Sequence, residues 1–230
     1  FYDLKTKLNY RLSHRDRIFL SGYFGRDVFK FTRGGNSFNA KIPWGNATAS
    51  MRWNHLFNDR MFMNATAIFS DYDFAFEASQ NEFSFKLFSG IRDWNAKIDF
   101  NYLPSILHNI KFGANVTHHT FTPSSVSAKA KDVAFDTGEI TRQPAIESAV
   151  YINDEFDITE KLKFNCGIRA SAFTQIGPFT RFVKDDITNR VTDSIKYKPF
   201  QEVKTWYGLE PRYTIRYALS SRSSLKFAYT

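Results

Sequence analysis

The chain has 230 residues, a formal net charge of +8 at pH 7 and one cysteine, so a domain stapled by internal disulfides is excluded. Hydrophobic residues make up 43% of the chain and include 25 phenylalanines, which argues against intrinsic disorder. No stretch approaches the roughly 18–20 apolar residues that a membrane-spanning helix requires. The sequence pI near 9.5 leaves open an anionic partner such as nucleic acid.

Strict alternation of apolar and polar residues begins at residues 2–12 and recurs along the chain. In this segment Leu4 and Leu8 occupy even positions and Lys5 and Lys7 odd ones, as in a strand with two unlike faces. The same pattern is found in 109–116, 162–172 and 206–219. In these four segments none of the 23 positions on one face is charged, whereas ten of the 21 positions on the other face are. This segregation predicts strands that contact an apolar medium on one side and water on the other.

The predicted strands are long. They lie at 2–12, 18–31, 44–56, 61–70, 94–102, 109–121, 145–156, 162–173, 205–219 and 224–230. Most reach the ~9–11 residues of a tilted transmembrane strand and exceed the ~5–6 residues common in soluble sandwiches. The stretch 18–31 has aromatic and aliphatic residues on both faces, so its outward face stays undecided. Pro211 cannot donate to a ladder and should produce a bulge or a local break.

The predicted connections alternate in length. Short polar turns lie at 13–17, 57–60, 103–108, 157–161 and 220–223, and longer connections at 32–43, 71–93, 122–144 and 174–204. Outer-membrane barrels alternate short periplasmic turns with long extracellular loops in this way. Aromatic residues near strand ends fit the girdles of such a barrel, namely Tyr2, Tyr10, Trp44, Trp53, Phe57, Trp94, Tyr102, Tyr207 and Tyr217. The sequence therefore predicts an all-β, transmembrane antiparallel β-barrel with its apolar face toward lipid and its charged face toward a wide, water-filled lumen.

Four segments carry a resemblance to a known family. Residues 151–169, YINDEFDITEKLKFNCGIR, resemble a hairpin of TonB-dependent outer-membrane receptors, in which a YxxDEF…T…LxLxxGxR pattern crosses a short periplasmic turn. The segments DRIFLSGYFG (16–25), FGANVTHH (112–119) and LEPRYTIRY (209–217) are similar to barrel strands of these receptors in Bacteroidetes-type bacteria. The resemblance covers nearly the whole chain and indicates no particular substrate.

Membership of that family implies energised import across the outer membrane of a Gram-negative bacterium. Its members have a 22-stranded barrel closed by a plug domain, and they take up siderophores, haem, cobalamin, glycans or peptides. The implied partners are outer-membrane lipid, the plug domain of the same protein, the TonB complex and a surface lipoprotein. On this interpretation residues 1–230 form a partial transmembrane β-barrel domain of about ten strands, and we expect the plug domain and the barrel termini to be absent from this chain.

Basic residues on the charged face are the candidate contacts with a plug domain or an anionic ligand. They are Lys5, Lys7, Arg11, Lys163, Arg169, Arg212 and Arg216. All seven lie on one face of the pleat, as lumen-lining residues would, and this favours the lumen role over nucleic-acid binding. Simple hydration of a polar wall is the alternative.

Two histidines and four acidic residues are the candidate metal ligands of the sequence. His118 and His119 are adjacent, so alternation directs their rings to opposite faces and they cannot hold one ion from a single face. The acidic residues in predicted loops match no defined calcium-loop spacing, and they are Asp71, Asp73, Asp185 and Asp186. We therefore expect no metal site and no cofactor.

Two other functions stay open. A self-contained ten-stranded barrel enzyme, similar to the omptin proteases, would use His118, His119, Asp71 and Asp73 for acid–base chemistry. To close, it would have to pair 2–12 with 224–230. A structural or docking barrel without transport is the second alternative. The sequence contains no phosphate-binding loop, CxxC pair, HExxH or GxSxG motif, and we expect that the protein is not an enzyme.

Overall fold

The computed structural model describes residues 1–34, 38–131, 133–136, 142–185, 188 and 190–229. These ranges contain strands, turns and short connections, and none of their residues forms a helix that could cross a membrane. The strands are β1 (Tyr2–Arg11), β2 (Asp16–Arg33), β3 (Phe38–Asn58), β4 (Met61–Gln80), β5 (Phe83–Tyr102), β6 (His108–Ala130), β7 (Val133–Asp136), β8 (Gln143–Asp157), β9 (Leu162–Ile176), β10 (Phe179–Lys184), β11 (Val191–Tyr197), β12 (Glu202–Ser220) and β13 (Ser223–Tyr229).

Ten of these strands form one antiparallel sheet in the order β1-β2-β3-β4-β5-β6-β8-β9-β12-β13. This confirms the predicted all-β architecture of about ten consecutive antiparallel strands. β7 pairs with the far end of β6, and β10 pairs with β11 in a separate hairpin between β9 and β12. Within the described ranges β1 and β13 each have one neighbour, so they are the two edges of the sheet.

The register gives the sheet two faces of opposite character. Lys7 pairs with Ser21 on one face, which we call the polar face, and Leu8 pairs with Leu20 on the other, which we call the apolar face. From Leu20 the apolar row continues without a charge through Met51, Ala67, Ala96, Val116, Ser148, Ala172 and Tyr207. One uncharged row therefore crosses nine strands, which is a property of the sheet and not of any single segment.

Pairing with β1 decides the face of β2 that the sequence left open. Leu20 and Phe24 lie opposite Leu8 and Leu4, so they belong to the apolar face, whereas Phe19 belongs to the polar face. Because aromatic residues occur on both faces of β2, alternation within this strand could not distinguish them.

Ion pairs mark both ends of an uncharged band on the apolar face. At the level of the short turns, Asp16 Oδ1 lies 2.7 Å from His55 Nδ1 and Asp154 Oδ2 lies 2.8 Å from His108 Nδ1. At the opposite level, Arg92 Nη2 lies 2.6 Å from Asp71 Oδ2. Between these pairs the described apolar face carries no Asp, Glu, Lys or Arg. The mean hydropathy of −0.40 thus averages an uncharged band with a polar face and polar ends.

The strands extend beyond this band farther than predicted. The predicted connection 32–43 is mostly strand, because β2 runs to Arg33 and β3 begins at Phe38. In the same way 71–93 contains the paired ends of β4 and β5, and 122–144 contains the end of β6 and β7. The five short turns lie where the sequence predicted them.

A charged row on the apolar face explains why these extensions were missed. Glu77 lies 3.4 Å from Lys41 Nζ and 3.3 Å from Lys86 Nζ across three neighbouring strands. Partial burial raises the pKa of Glu77, but Lys86 and Lys41 outweigh that effect and hold it below its usual value. On the other face this level carries the apolar side chains of Ile42, Phe76, Phe85 and Leu87. The period of two therefore continues, but with the polarity of the two faces exchanged relative to the uncharged band.

Two local predictions differ from the structure. Trp44 pairs with Asp27 and Phe74 on the polar face, so it is not part of an aromatic girdle on the apolar face. No register shift occurs at Pro211, which lies opposite Ile168 in a continuous ladder, and the expected bulge is therefore wrong.

Gly113 provides a test of the packing on the polar face. A Cβ at this position would overlap Ile98 O and would lie 3.0 Å from Tyr151 Cε1, so the backbone would have to move. We expect Gly113→Ala to destabilise the protein by about 1–3 kcal/mol. The matched control is Gly22→Ala, whose Cβ would meet only Thr48 O at 3.9 Å. Urea unfolding of the full-length protein in lipid measures both, and equal stabilities would contradict this packing.

Candidate functional site

The seven predicted basic residues lie on the polar face in two separate groups. Lys5, Lys7 and Arg11 are on the edge strand β1, whereas Lys163, Arg169, Arg212 and Arg216 are on β9 and β12. Strands β2 to β8 lie between the groups in the sheet order, so the seven side chains do not converge on one site.

The β9–β12 group belongs to a larger ionic network on the polar face. Arg169 Nη2 lies 3.5 Å from Glu147 Oε1, and its Nε lies 3.7 Å from Glu210 Oε1. Glu210 Oε2 also accepts a hydrogen bond of 2.7 Å from Arg212. On the other side of Glu147, His119 Nε2 is 3.7 Å from its carboxylate, and His119 Nδ1 is 2.8 Å from Asp93. We call these six residues the polar-face network.

A second polar cluster lies beside this network. The Tyr151 hydroxyl donates a hydrogen bond to Asp99, whose carboxylate also lies 3.0 Å from Lys97 Nζ. The Tyr151 ring lies opposite Gly113 and next to Lys97, whose ammonium is 6.0 Å from the ring centroid. Each charged side chain named in these two clusters has a partner of opposite charge within the cluster. Both clusters therefore stabilise the wall before they could bind a ligand.

The remaining predicted residues differ in how their charges are balanced. Lys163 Nζ lies 2.8 Å from Asp157, and Lys5 Nζ lies 3.7 Å from Asp3. Arg11 donates to the Ser13 carbonyl at 3.2 Å, in the turn after its strand.

Arg216 and Lys7 have a different environment. Arg216 lies between Lys163 and Lys226 in the register, so three cations are direct neighbours on three strands. Like charges placed directly opposite each other in a sheet are unfavourable. Neither Arg216 nor Lys7 has an ion pair within the described part of the chain. These two residues are therefore better placed than the paired ones to meet an anionic partner.

The two adjacent histidines point to opposite faces, as predicted, and they lie well inside β6, which continues to Ala130 beyond the end of the predicted strand 109–121. The His118 ring contacts the Phe200 ring at 6.1 Å on the apolar side, whereas His119 belongs to the polar-face network. Asp71 is engaged by Arg92 on the apolar face, so His119 and Asp71 cannot share a site. The four residues of the acid–base hypothesis therefore do not all share one face, since His118, Asp71 and Asp73 lie on the apolar face and His119 on the polar face.

No group of three or more potential metal ligands occurs among the described residues. Asp71 and Asp73 lie in β4 and not in a loop, whereas Asp185 follows β10 and Asp186 lies outside the described residues. The loop geometry that a calcium site would need is therefore missing at Asp71 and Asp73.

Asp16 stands at the turn end of β2, outside the uncharged band. The contact with His55, together with hydrogen bonds from Ser13 and Trp53, lowers the pKa of Asp16 to about 2. This carboxylate therefore remains charged at physiological pH and ties the first turn to β3.

An apolar groove of about 830 Å³ lies mainly on the apolar face. Its floor consists of small side chains, Ala65, Ala67, Ala96, Ala114, Ala170 and Ala172, and Trp53 and Tyr207 stand at its sides. A second cavity, of about 980 Å³, lies beyond the uncharged band between β4–β6 and the β10–β11 hairpin. Charged residues of both signs line it, among them Asp73, Arg142 and Lys196.

The acidic half of the polar-face network was missed by sequence reasoning. Asp93, Glu147 and Glu210 lie on the same face as the predicted basic residues, in adjacent strands. A signal existed for Glu147 and Glu210, since both fall within predicted strands on the charged side of the alternation. Their partners could not be named before the register between strands was known.

No protein-family model matches the chain, and no curated protein matches its sequence. Solved structures do match its fold. The ferric citrate transporter FecA, in its unliganded form, superposes with a TM-score of 0.65 at 11% identity, over 97% of this chain and 34% of that one. BauA, the ferric preacinetobactin receptor from Acinetobacter baumannii, superposes with a TM-score of 0.64 at 12% identity, over 97% of this chain and 38% of that one. The copper transporter OprC superposes with a TM-score of 0.64 at 9% identity, over 95% of this chain and 34% of that one.

The chain thus spans little more than a third of the structures that it matches. At such low identity the likeness concerns the fold, and the two-faced sheet of long antiparallel strands agrees with it. The chain has the fold of part of the wall of an outer-membrane β-barrel.

Proposed function

We propose that this chain is part of an outer-membrane receptor that imports a scarce or bulky ligand with energy supplied by TonB. The observation that carries the proposal is the uncharged row across nine strands, backed by a polar face with an ionic network. Such a wall separates lipid from a wet interior. The similarity of the fold to transporters and receptors for ferric citrate, ferric preacinetobactin and copper supports import as the purpose of that interior.

The proposal includes the location and the partners. The apolar face would contact lipid of the outer membrane of a Gram-negative bacterium, of the Bacteroidetes type indicated by the sequence resemblance. The polar face would surround a plug domain of the same protein, the TonB complex would act on that plug, and a surface lipoprotein would assist capture. The seven basic residues would face the plug or an anionic ligand, and Lys7 and Arg216 are the best placed of them. We also propose that the protein has no enzymatic activity.

Energised uptake tests the import proposal. Deletion of the gene should abolish growth on one nutrient among siderophore-bound iron, haem, cobalamin, glycans and peptides, and the full-length gene should restore it. A protonophore should stop uptake of that nutrient without stopping its binding to cells, because TonB depends on the proton gradient. Growth and uptake that are unchanged on every candidate nutrient would contradict the proposal.

The orientation in the membrane gives a separate prediction. In a Cys166→Ser background of the full-length protein, cysteines at Lys131 and Val191 should react with an impermeant maleimide on intact cells. Cysteines at Asp59 and Ser221 should react only after the outer membrane is permeabilised, because these residues occupy the short turns. The reverse pattern would show that the short turns face outward.

A further inference from the structure

An indentation of about 520 Å³ on the polar face contains positive charge without a counter-charge. It lies across β1 to β4, and its polar lining includes Lys7, Asn9, Ser21, Ser50, Arg52 and Thr66. None of its lining residues is acidic. We call it the β1–β4 pocket.

The two cations of the pocket are free to meet a ligand. Neither Lys7 nor Arg52 has an ion pair within the described residues. On the same face of β1 and β5, outside the pocket, Asp3 lies 3.7 Å from Lys5 and Asp99 lies 3.0 Å from Lys97. The pocket therefore has an uncompensated positive potential, which a water-filled lumen with low-dielectric walls would focus.

The Arg52 guanidinium is held in place by an aromatic ring. Its Cζ lies 4.7 Å from the centroid of Phe19, and Arg17 Cζ lies 6.0 Å from the same ring. Stacking on a ring orders the planar guanidinium and leaves its N–H groups at the edge available for an acceptor. Phe19 and Ile68 also provide apolar surface within the pocket.

Hydroxyl groups supply further donors. Ser21 Oγ and Ser50 Oγ lie 2.7 Å apart, and only one of the two hydroxyl hydrogens is used in that contact. The other hydrogen can be donated to a ligand, as can the Thr66 hydroxyl and the Asn9 amide. A pocket with two cations, several neutral donors and no carboxylate is complementary to an anion with several acceptor oxygens.

We propose that the β1–β4 pocket binds a small organic anion that carries carboxylate or phosphate groups on an apolar or aromatic body. The inference rests on the proposed function in one respect, namely that the polar face lines a water-filled passage. It identifies the chemical class of a molecule that this passage would hold, and it requires neither TonB nor transport.

Titration of the purified full-length protein in an uncharged detergent tests the proposal. The probes are phthalate, an aromatic dicarboxylate, its neutral analogue phthalamide, and inorganic phosphate. We expect saturable binding of phthalate that weakens as salt is added, competition by phosphate at higher concentration, and no binding of phthalamide. Lys7→Gln and Arg52→Gln should each lower the affinity for phthalate at least fivefold.

Lys111→Gln is the matched control. Lys111 lies on the polar face of β6, has no ion pair among the described residues and is not part of the pocket. Its substitution should leave phthalate binding unchanged, and urea unfolding should show all three variants to be as stable as the parent. Phthalate binding that is absent, equal in all variants, or matched by phthalamide would overturn the proposal. Because binding is measured without energy, this result is independent of the uptake experiment.

Discussion

Arginine at position 67 should destabilise the protein, whereas arginine at position 68 should be tolerated. Ala67 lies in the uncharged row of the apolar face between Met51 and Ala96, and Ile68 lies on the polar face between Ser50 and Asn95. A cation facing lipid near the middle of a bilayer costs about 2–4 kcal/mol in a transmembrane barrel. In a wet lumen it costs little, because the charge stays hydrated.

Urea titration of the full-length protein folded into lipid vesicles measures the two free energies of unfolding. The comparison is sharp because side-chain hydrophobicity alone predicts the opposite order, with Ile68→Arg worse than Ala67→Arg. Equal losses for the two variants would contradict the assignment of the faces, and a larger loss for Ile68→Arg would reverse it.

Arg169→Met should destabilise the wall by about 1–3 kcal/mol, because it leaves two half-buried carboxylates without their shared cation. Arg169 lies between Glu147 and Glu210, at 3.5 and 3.7 Å, and its side chain is only 26% exposed. Methionine has a similar length, so the packing of the aliphatic part is largely kept.

Arg216→Met is the control for this second prediction. Arg216 lies on the same face of the neighbouring strand and faces two other cations, so its removal should change the stability by no more than about 0.5 kcal/mol or raise it slightly. In the Arg169→Met background, Glu210→Gln should recover part of the loss. If the two Met variants unfold at the same urea concentration, the polar-face network does not stabilise the protein.

The ten-strand arrangement could be predicted because the strands contact different media on their two sides. Segments such as 2–12 and 162–172 record this difference directly as a period of two. The strand ends beyond the uncharged band were assigned to connections, because around Glu77 the charged and apolar residues exchange faces and no longer continue the pattern of the band. The turn positions could be predicted, since polar residues interrupt the alternation there.

Only part of the candidate site could be predicted from the sequence. The positions of Lys7, Arg169 and Arg216 on one face follow from alternation, but their environments do not. Arg169 is neutralised by glutamates from two other strands, and Arg216 is surrounded by lysines, although both residues look alike in the sequence. Likewise Arg52 falls on the polar side of the alternation in its own strand, but its place beside Phe19 and Lys7 in the β1–β4 pocket depends on the register between strands.

The sequence by itself determined which residues of one strand share a face, because that property depends only on the twofold repeat of an extended backbone. It also determined the ten consecutive strands of the main sheet and the short turns, whereas β7, β10 and β11 lie in segments predicted as connections. The tertiary structure decided which charges are paired, which are left open, and where the strands end. These properties depend on the register between strands far apart in the chain, and a ladder of backbone hydrogen bonds fixes that register without leaving a pattern in any single segment.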